Sequence, residues 1–206
     1  MFSWSYEEMP GIYPSIVEHE IRTYPNSKPA QQKLRPVNPR KVAIVKAEVE
    51  KLLKAAFIYP IALTEWASNP VPVEKKERTI CVCTEFHDLN KSCPKDNFPT
   101  LFIDQIIDAC VGSEVFSFMA GFSEYNQIKI KLEDKHKMDF ICPCGKFAYK
   151  KILFGLKNAG ATFQREMNFS FHDIKNIVKP YLDDFLSHSR KMIYLFRSSP
   201  LNFQTM

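Results

Sequence analysis

The chain has 206 residues, 45% of them hydrophobic and 13% aromatic, which excludes a disordered tail and suffices for a buried core. Its 28 Lys and Arg against 23 Asp and Glu leave a net charge of +5, an excess that suits a polyanionic partner without requiring one. No apolar run approaches the roughly 18 residues that span a bilayer, and the start MFSWSYEEMPG carries Glu7 and Glu8 where a secretory signal needs a basic end. The expectation is a soluble intracellular chain, cytoplasmic or nuclear, with no membrane partner.

Residues 1–35 are rich in Pro, Ser, Asn and charge without sustained periodicity, and read as an extended arm wrapped on a body. In NPRKVAIVKAEVEKLLKAAFI, Val42, Val45, Val49, Leu52, Leu53 and Ala56 form one helical stripe, with Asn38 as N-cap and Pro39 at the first helical position. NPVPVEKKERTICVCTEF reads as two strands around a charged turn bearing Lys75, Lys76 and Arg78. FPTLFIDQIIDACVG predicts a short helix stopped at Gly112, followed by a strand in VFSFMAGF. QIKIKL alternates strictly, as a half-buried strand does, and NAGATFQREMNFSF predicts a further helix from near Gly160.

The segment KPYLDDFLS carries the chain's most pointed chemistry. Ile177 to Leu182 and Phe185 to Ser187 read as strands joined by a two-residue turn, Asp183-Asp184, with Pro180 favouring a strand start or an edge. Adjacent carboxylates at a hairpin tip suit hard divalent cations, which prefer oxygen ligands. The plainer alternative is a surface turn, because Asp is a common turn residue.

YLDDF is preceded, in order, by DLNKSCPKDNFP, FSFMAGFSEYNQIKI and FGLKNAGATFQREM. Together these blocks resemble the reverse transcriptases of gypsy-type LTR retrotransposon Pol polyproteins, over about residues 2–190. The resemblance implies an α+β, right-hand polymerase fold limited to fingers and palm, with a mixed or antiparallel palm sheet packed on helices. It assigns 36–95 plus 128–158 to fingers, 96–127 plus 159–190 to palm, and 191–206 to an irregular tail, with thumb, connection and RNase H regions absent. It also implies Mg²⁺ or Mn²⁺ as cofactor, and RNA or DNA template-primer and dNTP as partners. Asp183 and Asp184 match the family's metal-binding and catalytic pair. Tyr125, Phe154, Lys75 and Lys76 match or neighbour its nucleotide-binding positions.

Three positions depart from the family pattern in the damaging direction. Ala120 stands where the family's third metal-binding aspartate is expected, and a methyl group cannot bind a cation. Glu124 replaces a glycine close to the incoming triphosphate, whose charge it would repel. Cys81 replaces a fingers arginine that would grip phosphate bidentately. The expected function is a truncated reverse transcriptase domain with impaired two-metal nucleotidyl transfer. The alternatives are a residually active RNA-directed DNA polymerase and a noncatalytic module, binding nucleic acid or zinc, on the same fold.

Six cysteines without a secretory signal read as reduced thiols. The zinc alternative rests on Cys81/Cys83 and Cys142/Cys144, whose period-two spacing puts each pair on one strand face, although the usual zinc site is spaced C-x₂-C. Lys129, Lys131, Lys135 and Lys137 form a basic run whose default assignment is a solvated face.

Overall fold

The computed structural model describes residues 11–74, 80–99, 102–120, 124–181 and 184–190, with no side-chain description at 120 and 124. In chain order the elements are β1 (Glu18–His19), α1 (Pro39–Lys54), β2 (Ile58–Pro60), β3 (Asn69–Glu74), β4 (Ile80–Glu85), α2 (His87–Ser92) and α3 (Ile103–Ala109). These are followed by β5 (Val115–Ala120), β6 (Lys129–Ile130), β7 (Asp139–Cys142), β8 (Gly145–Tyr149), α4 (Ala159–Ser170), β9 (Val178–Tyr181) and β10 (Asp184–Ser189). The chain divides into two compact units, one of Pro10–Lys95 with Tyr125–Ala159, the other built on Asp96–Glu124 and the chain from Gly160 onward. Among the described residues no helix is long and apolar enough to cross a membrane.

In the first unit, β8 lies between β2 and β7 in an antiparallel sheet. Its core is aromatic: Phe140 packs against Tyr149 at 4.9 Å and Phe147 at 5.6 Å between ring centroids, and Phe86 meets the Tyr149 edge at 6.3 Å. The Tyr149 hydroxyl, carried inside by its ring, pairs with Thr84 Oγ1 at 3.0 Å, so burial leaves it satisfied. Helix α1 begins as the sequence indicates, with Pro39 at the first helical position and Asn38 Oδ1 accepting from the Arg40 N–H at 3.0 Å. Val45, Val49 and Leu52 are buried, but Leu53 and Ala56 are exposed, so the apolar stripe is narrower than expected. The helix ends at Lys54 with Ala55 as C-cap, and just beyond it Ala56, at φ 56°, lets the Phe57 N–H reach Leu52 O and the Ala56 N–H reach Leu53 O, a Schellman closure made without glycine.

The hairpin β3–β4 pairs Val73 with Cys81 and Glu74 with Ile80. Lys75, Lys76 and Arg78 lie between these strands, outside the described residues. Ser68 donates its N–H to Asp139 O on β7, so the N–H groups at 70 and 72 would point the same way; Pro70 and Pro72 have none, and the bridge to β7 stops there.

Two expectations fail in this unit. QIKIKL is not a strand of that length: Ile128 and Ile130 are fully buried, but β6 covers only Lys129–Ile130 and Leu132 is exposed at the start of a 3₁₀ helix, Leu132–Lys137. That turn forms because Asp134 Oδ2 accepts the Ile21 N–H at 2.8 Å, capturing the N-terminal arm, whose β1 runs parallel to β6. The basic run is not uniformly solvated either. Lys137 donates to Asp134 Oδ1 at 2.7 Å and to Ile21 O at 2.8 Å, with only 17% of its side chain exposed.

The second unit carries an antiparallel sheet in the order β5-β10-β9. Pro180 lies in β9, an edge strand, where a missing N–H is tolerated. Helix α4 supports this sheet: the buried Gln164 amide donates to Pro180 O at 3.2 Å, and Phe171, just beyond the helix, packs on Phe185 at 5.2 Å. Helix α3 ends at Ala109 and the chain turns through Gly112, whose φ of +80° suits glycine.

Candidate functional site

The hairpin pairing differs from the sequence expectation by two residues, Phe185 meeting Pro180 rather than Leu182. Tyr181 on β9 pairs with Asp184 on β10, so Asp184 is the first strand residue rather than half of the turn. Leu182 and Asp183 lie outside the described residues. On its other side, Asp184 pairs with Ala120, the last residue of β5.

This register defines two faces, because directly paired residues in an antiparallel ladder share a side and the side alternates along each strand. Pro180 and Phe185 belong to the face held by Gln164 and Phe171, where Val178 and Ser187 are buried. Asp184, Leu186 and the positions paired with them, Ala120 and Phe118, belong to the opposite face. Near the turn that face is open to solvent, with Phe118 76% exposed and Asp184 exposed, whereas His188 at the far end of the same face is buried.

A two-cation centre holds ions roughly 3.5–4 Å apart with shared carboxylates from more than one strand. Asp184 offers a hard oxygen donor of the right kind. The residue paired with it across the ladder, Ala120, has no side-chain donor atom. No group of three or more His, Cys, Asp or Glu side chains converges to hold a metal among the described residues.

Tyr125 and Phe154, in the first unit, come together with ring centroids 6.4 Å apart at 57°. Tyr125 is half-buried, and burial pushes its phenol above the ordinary range, whereas Phe154 is 81% exposed. An aromatic ring so open to water needs a held backbone. Asn90 on α2 supplies it, donating to Gly155 O at 2.7 Å and accepting from the Lys157 N–H at 2.7 Å. Lys157 Nζ returns to Asn90 O at 3.1 Å and Cys93 O at 2.6 Å, and the Asn158 amide donates to Pro94 O at 2.9 Å. Gly155 at φ +90° and Asn158 at φ +67° make the two left-handed corners of this loop. Sequence reasoning passed over Asn90, Lys157 and Asn158 as positioning residues. The available signal was two polar blocks, DLNKSCP and FGLKN, each carrying an amide and a lysine.

Cys81 is half-buried on β4, paired with Val73. Glu124 opens a short 3₁₀ turn, Glu124–Gln127. Of the four cysteines considered for zinc, Cys142 and Cys144 meet, with sulfurs 2.7 Å apart, and no third ligand joins them among the described residues.

A family model described as Reverse transcriptase (RNA-dependent DNA polymerase) matches residues 69–194. The Transposon Tf2-3 and Tf2-4 polyproteins of Schizosaccharomyces pombe (strain 972 / ATCC 24843) are each 31% identical to the chain over 159 residues. These matches cover 75% of the chain, which spans 12% of the length of the curated relatives. Among solved structures, the native protease-reverse transcriptase of Prototype Foamy Virus superposes with a TM-score of 0.75 at 19% identity, covering 87% of this chain and 24% of that one. A foamy viral protease-reverse transcriptase in complex with RNA/DNA hybrid gives 0.75 at 14% identity, covering 84% and 23%. Another in complex with double-stranded DNA gives 0.72 at 14%, covering 92% and 31%.

Proposed function

The chain belongs to the reverse transcriptase (RNA-dependent DNA polymerase) family and has the right-hand polymerase fold, and on that premise we propose that it is the fingers and palm of a gypsy-type retrotransposon polymerase that binds template-primer but adds nucleotides poorly. In this assignment the unit containing β5, β9 and β10 is palm and the unit containing β3, β4 and Phe154 is fingers. The family's polymerases use divalent metals, and Asp183 and Asp184 are the chain's remaining candidates to hold them.

One observation carries the reading of impaired chemistry: Ala120 pairs directly with Asp184. A carboxylate is missing from the position that faces the surviving acid. Loss of a single preorganised electrostatic contact typically costs about a hundredfold to a thousandfold in rate, and a shared metal ligand belongs to that class. Glu124 and Cys81 would add to the loss by repelling the triphosphate and by withholding a phosphate-gripping guanidinium.

Nucleic-acid binding survives such losses because it depends on distributed positive charge. The net charge of +5 and the exposed lysines favour weak, salt-sensitive association with an RNA/DNA hybrid. Tyr125 and Phe154 would pack against an incoming nucleotide, with Lys75 and Lys76 meeting phosphate or template. The test is primer extension by the purified chain on an RNA template with Mg²⁺ or Mn²⁺, together with hybrid binding across a salt series. The expected result is salt-dependent binding without templated extension. Product that depends on dNTP and template would overturn the impaired reading in favour of an active polymerase.

A further inference from the structure

The β7–β8 hairpin is joined by Pro143 and Cys144, with Cys142 paired to Gly145 across the neck. Its two thiols occupy opposite environments. Cys142 is 3% exposed beneath the turn, with its sulfur 3.5 Å from Gly145 O, while Cys144 stands exposed at the tip. The sulfurs nevertheless meet at 2.7 Å.

We propose that Cys142 and Cys144 form a reversible dithiol switch, oxidised to an intra-hairpin disulfide by low-molecular-weight disulfides of the glutathione type. Three features support it. Residues two apart in a chain have Cα atoms within about 7 Å of each other, which is the span a disulfide can bridge. The side chains already point at each other, so closing the bond needs little movement of the strand neck. One thiol is open to reagent and the other is sheltered beside it, the arrangement of an entry thiol with a resolving partner.

The exchange balances in two steps. The Cys144 thiolate attacks one sulfur of the external disulfide, that S–S bond breaks, and the first small thiolate leaves. Cys142 then gives its proton to solvent and attacks Cys144 Sγ, displacing the second thiolate. Two protein thiols are oxidised and one external disulfide is reduced to two thiols. Burial first, and then the hydrogen bond with Cys144, raise the Cys142 thiol to about 12, which keeps it protonated and leaves the exposed Cys144 to meet the external disulfide first.

The experiment treats the full folded chain with oxidised glutathione, quenches, alkylates free thiols and digests with trypsin. The diagnostic peptide is residues 138–146, MDFICPCGK. The expected product lacks both alkyl marks, is lighter than the reduced peptide by about two hydrogen masses, and regains both marks after dithiothreitol. Cys142→Ser should stop at a glutathione adduct on Cys144, and Cys144→Ser, an exposed change that leaves the core intact, should leave Cys142 fully alkylated after denaturation. Two alkyl marks on the wild-type peptide, or a stable glutathione adduct on wild-type Cys144, would overturn the proposal.

Discussion

Restoring a carboxylate at position 120 tests the register argument without depending on turnover. Directly paired positions in an antiparallel ladder have Cβ atoms about 4.5–5.5 Å apart. An Ala120→Asp chain would therefore hold two carboxylates roughly 5 Å apart, on a face already open to solvent at Phe118. Their repulsion is about 0.8 kcal/mol at the dielectric of water and about 3 kcal/mol at an effective dielectric of 20. Because Asp184 is exposed, the lower figure applies, and physiological salt with a Debye length of about 8 Å trims it further. In chelator and low salt the variant should be less stable than the parent by about 1 kcal/mol, or roughly 2–4 °C in Tm for a chain of this size. A cation at ten times its dissociation constant returns about 1.4 kcal/mol to the folded state. Thermal unfolding with and without Mg²⁺ reads both effects, with Ala120→Asn as the uncharged control. The wild-type chain should respond to Mg²⁺ less than the variant. Equal destabilisation by Asn and Asp, or a variant blind to Mg²⁺, would refute the facing geometry. In primer extension, Ala120→Asp alone should recover less activity than the triple change with Glu124→Gly and Cys81→Arg, and equal recovery would remove Glu124 and Cys81 from the explanation.

Further expectations concern the scaffold. Asp139 is 2% exposed with Oδ1 lacking a hydrogen-bond partner, and burial lifts its carboxyl to about 6. Its folded value exceeds the unfolded one, so the folded state should lose stability as pH rises from about 4 to about 6, by about 3 kcal/mol when complete. Asp139→Asn should flatten that slope and gain about 2 kcal/mol at pH 7 in urea unfolding; a parallel slope in the variant would assign the pH dependence elsewhere. Ala56 holds a left-handed conformation at φ 56°, so Ala56→Gly should raise stability by about 1 kcal/mol, and a loss would contradict the cap geometry. Lys137→Ala leaves Asp134 buried without its cation and should cost about 3 kcal/mol, whereas the double change with Asp134→Ala should cost less than the sum of the singles in a double-mutant cycle.

Local signals were legible where one segment decides its own structure. Asn38 and Pro39 start α1, Gly112 follows α3, and α4 begins within one residue of the expected place, because caps and breakers act over a few residues. The family was legible from four ordered blocks, and the matching family model bears it out. QIKIKL misled because its alternation is real at Ile128 and Ile130, while a distant Ile21 N–H recruits Asp134 and turns the chain into a 3₁₀ helix. Lys137 misled for the same reason: its partners include a backbone carbonyl 116 residues away in sequence. Nothing in the sequence marks long-range pairings of that kind.

The hairpin shows why the position of the turn matters chemically. A turn centred on Asp183-Asp184 would pair Leu182 with Phe185 and leave both aspartates off the ladder. The observed pairing of Tyr181 with Asp184 instead makes Asp184 a strand residue with a neighbour on each side, Tyr181 and Ala120. Side chains alternate with period two, so sliding β10 by one residue would have turned Asp184 toward Gln164 and Phe171 and put Phe185 on the open face. Packing the half-buried Phe185 against Phe171 therefore does more than close the hairpin: it sends the Asp184 carboxylate outward, opposite position 120. Phe185→Ala should weaken this choice of face as well as costing about 1–2 kcal/mol of packing for a half-buried ring, and in an Ala120→Asp background it should blunt the Mg²⁺ response. If that response were unchanged, the Phe171–Phe185 contact would not be what sets the face.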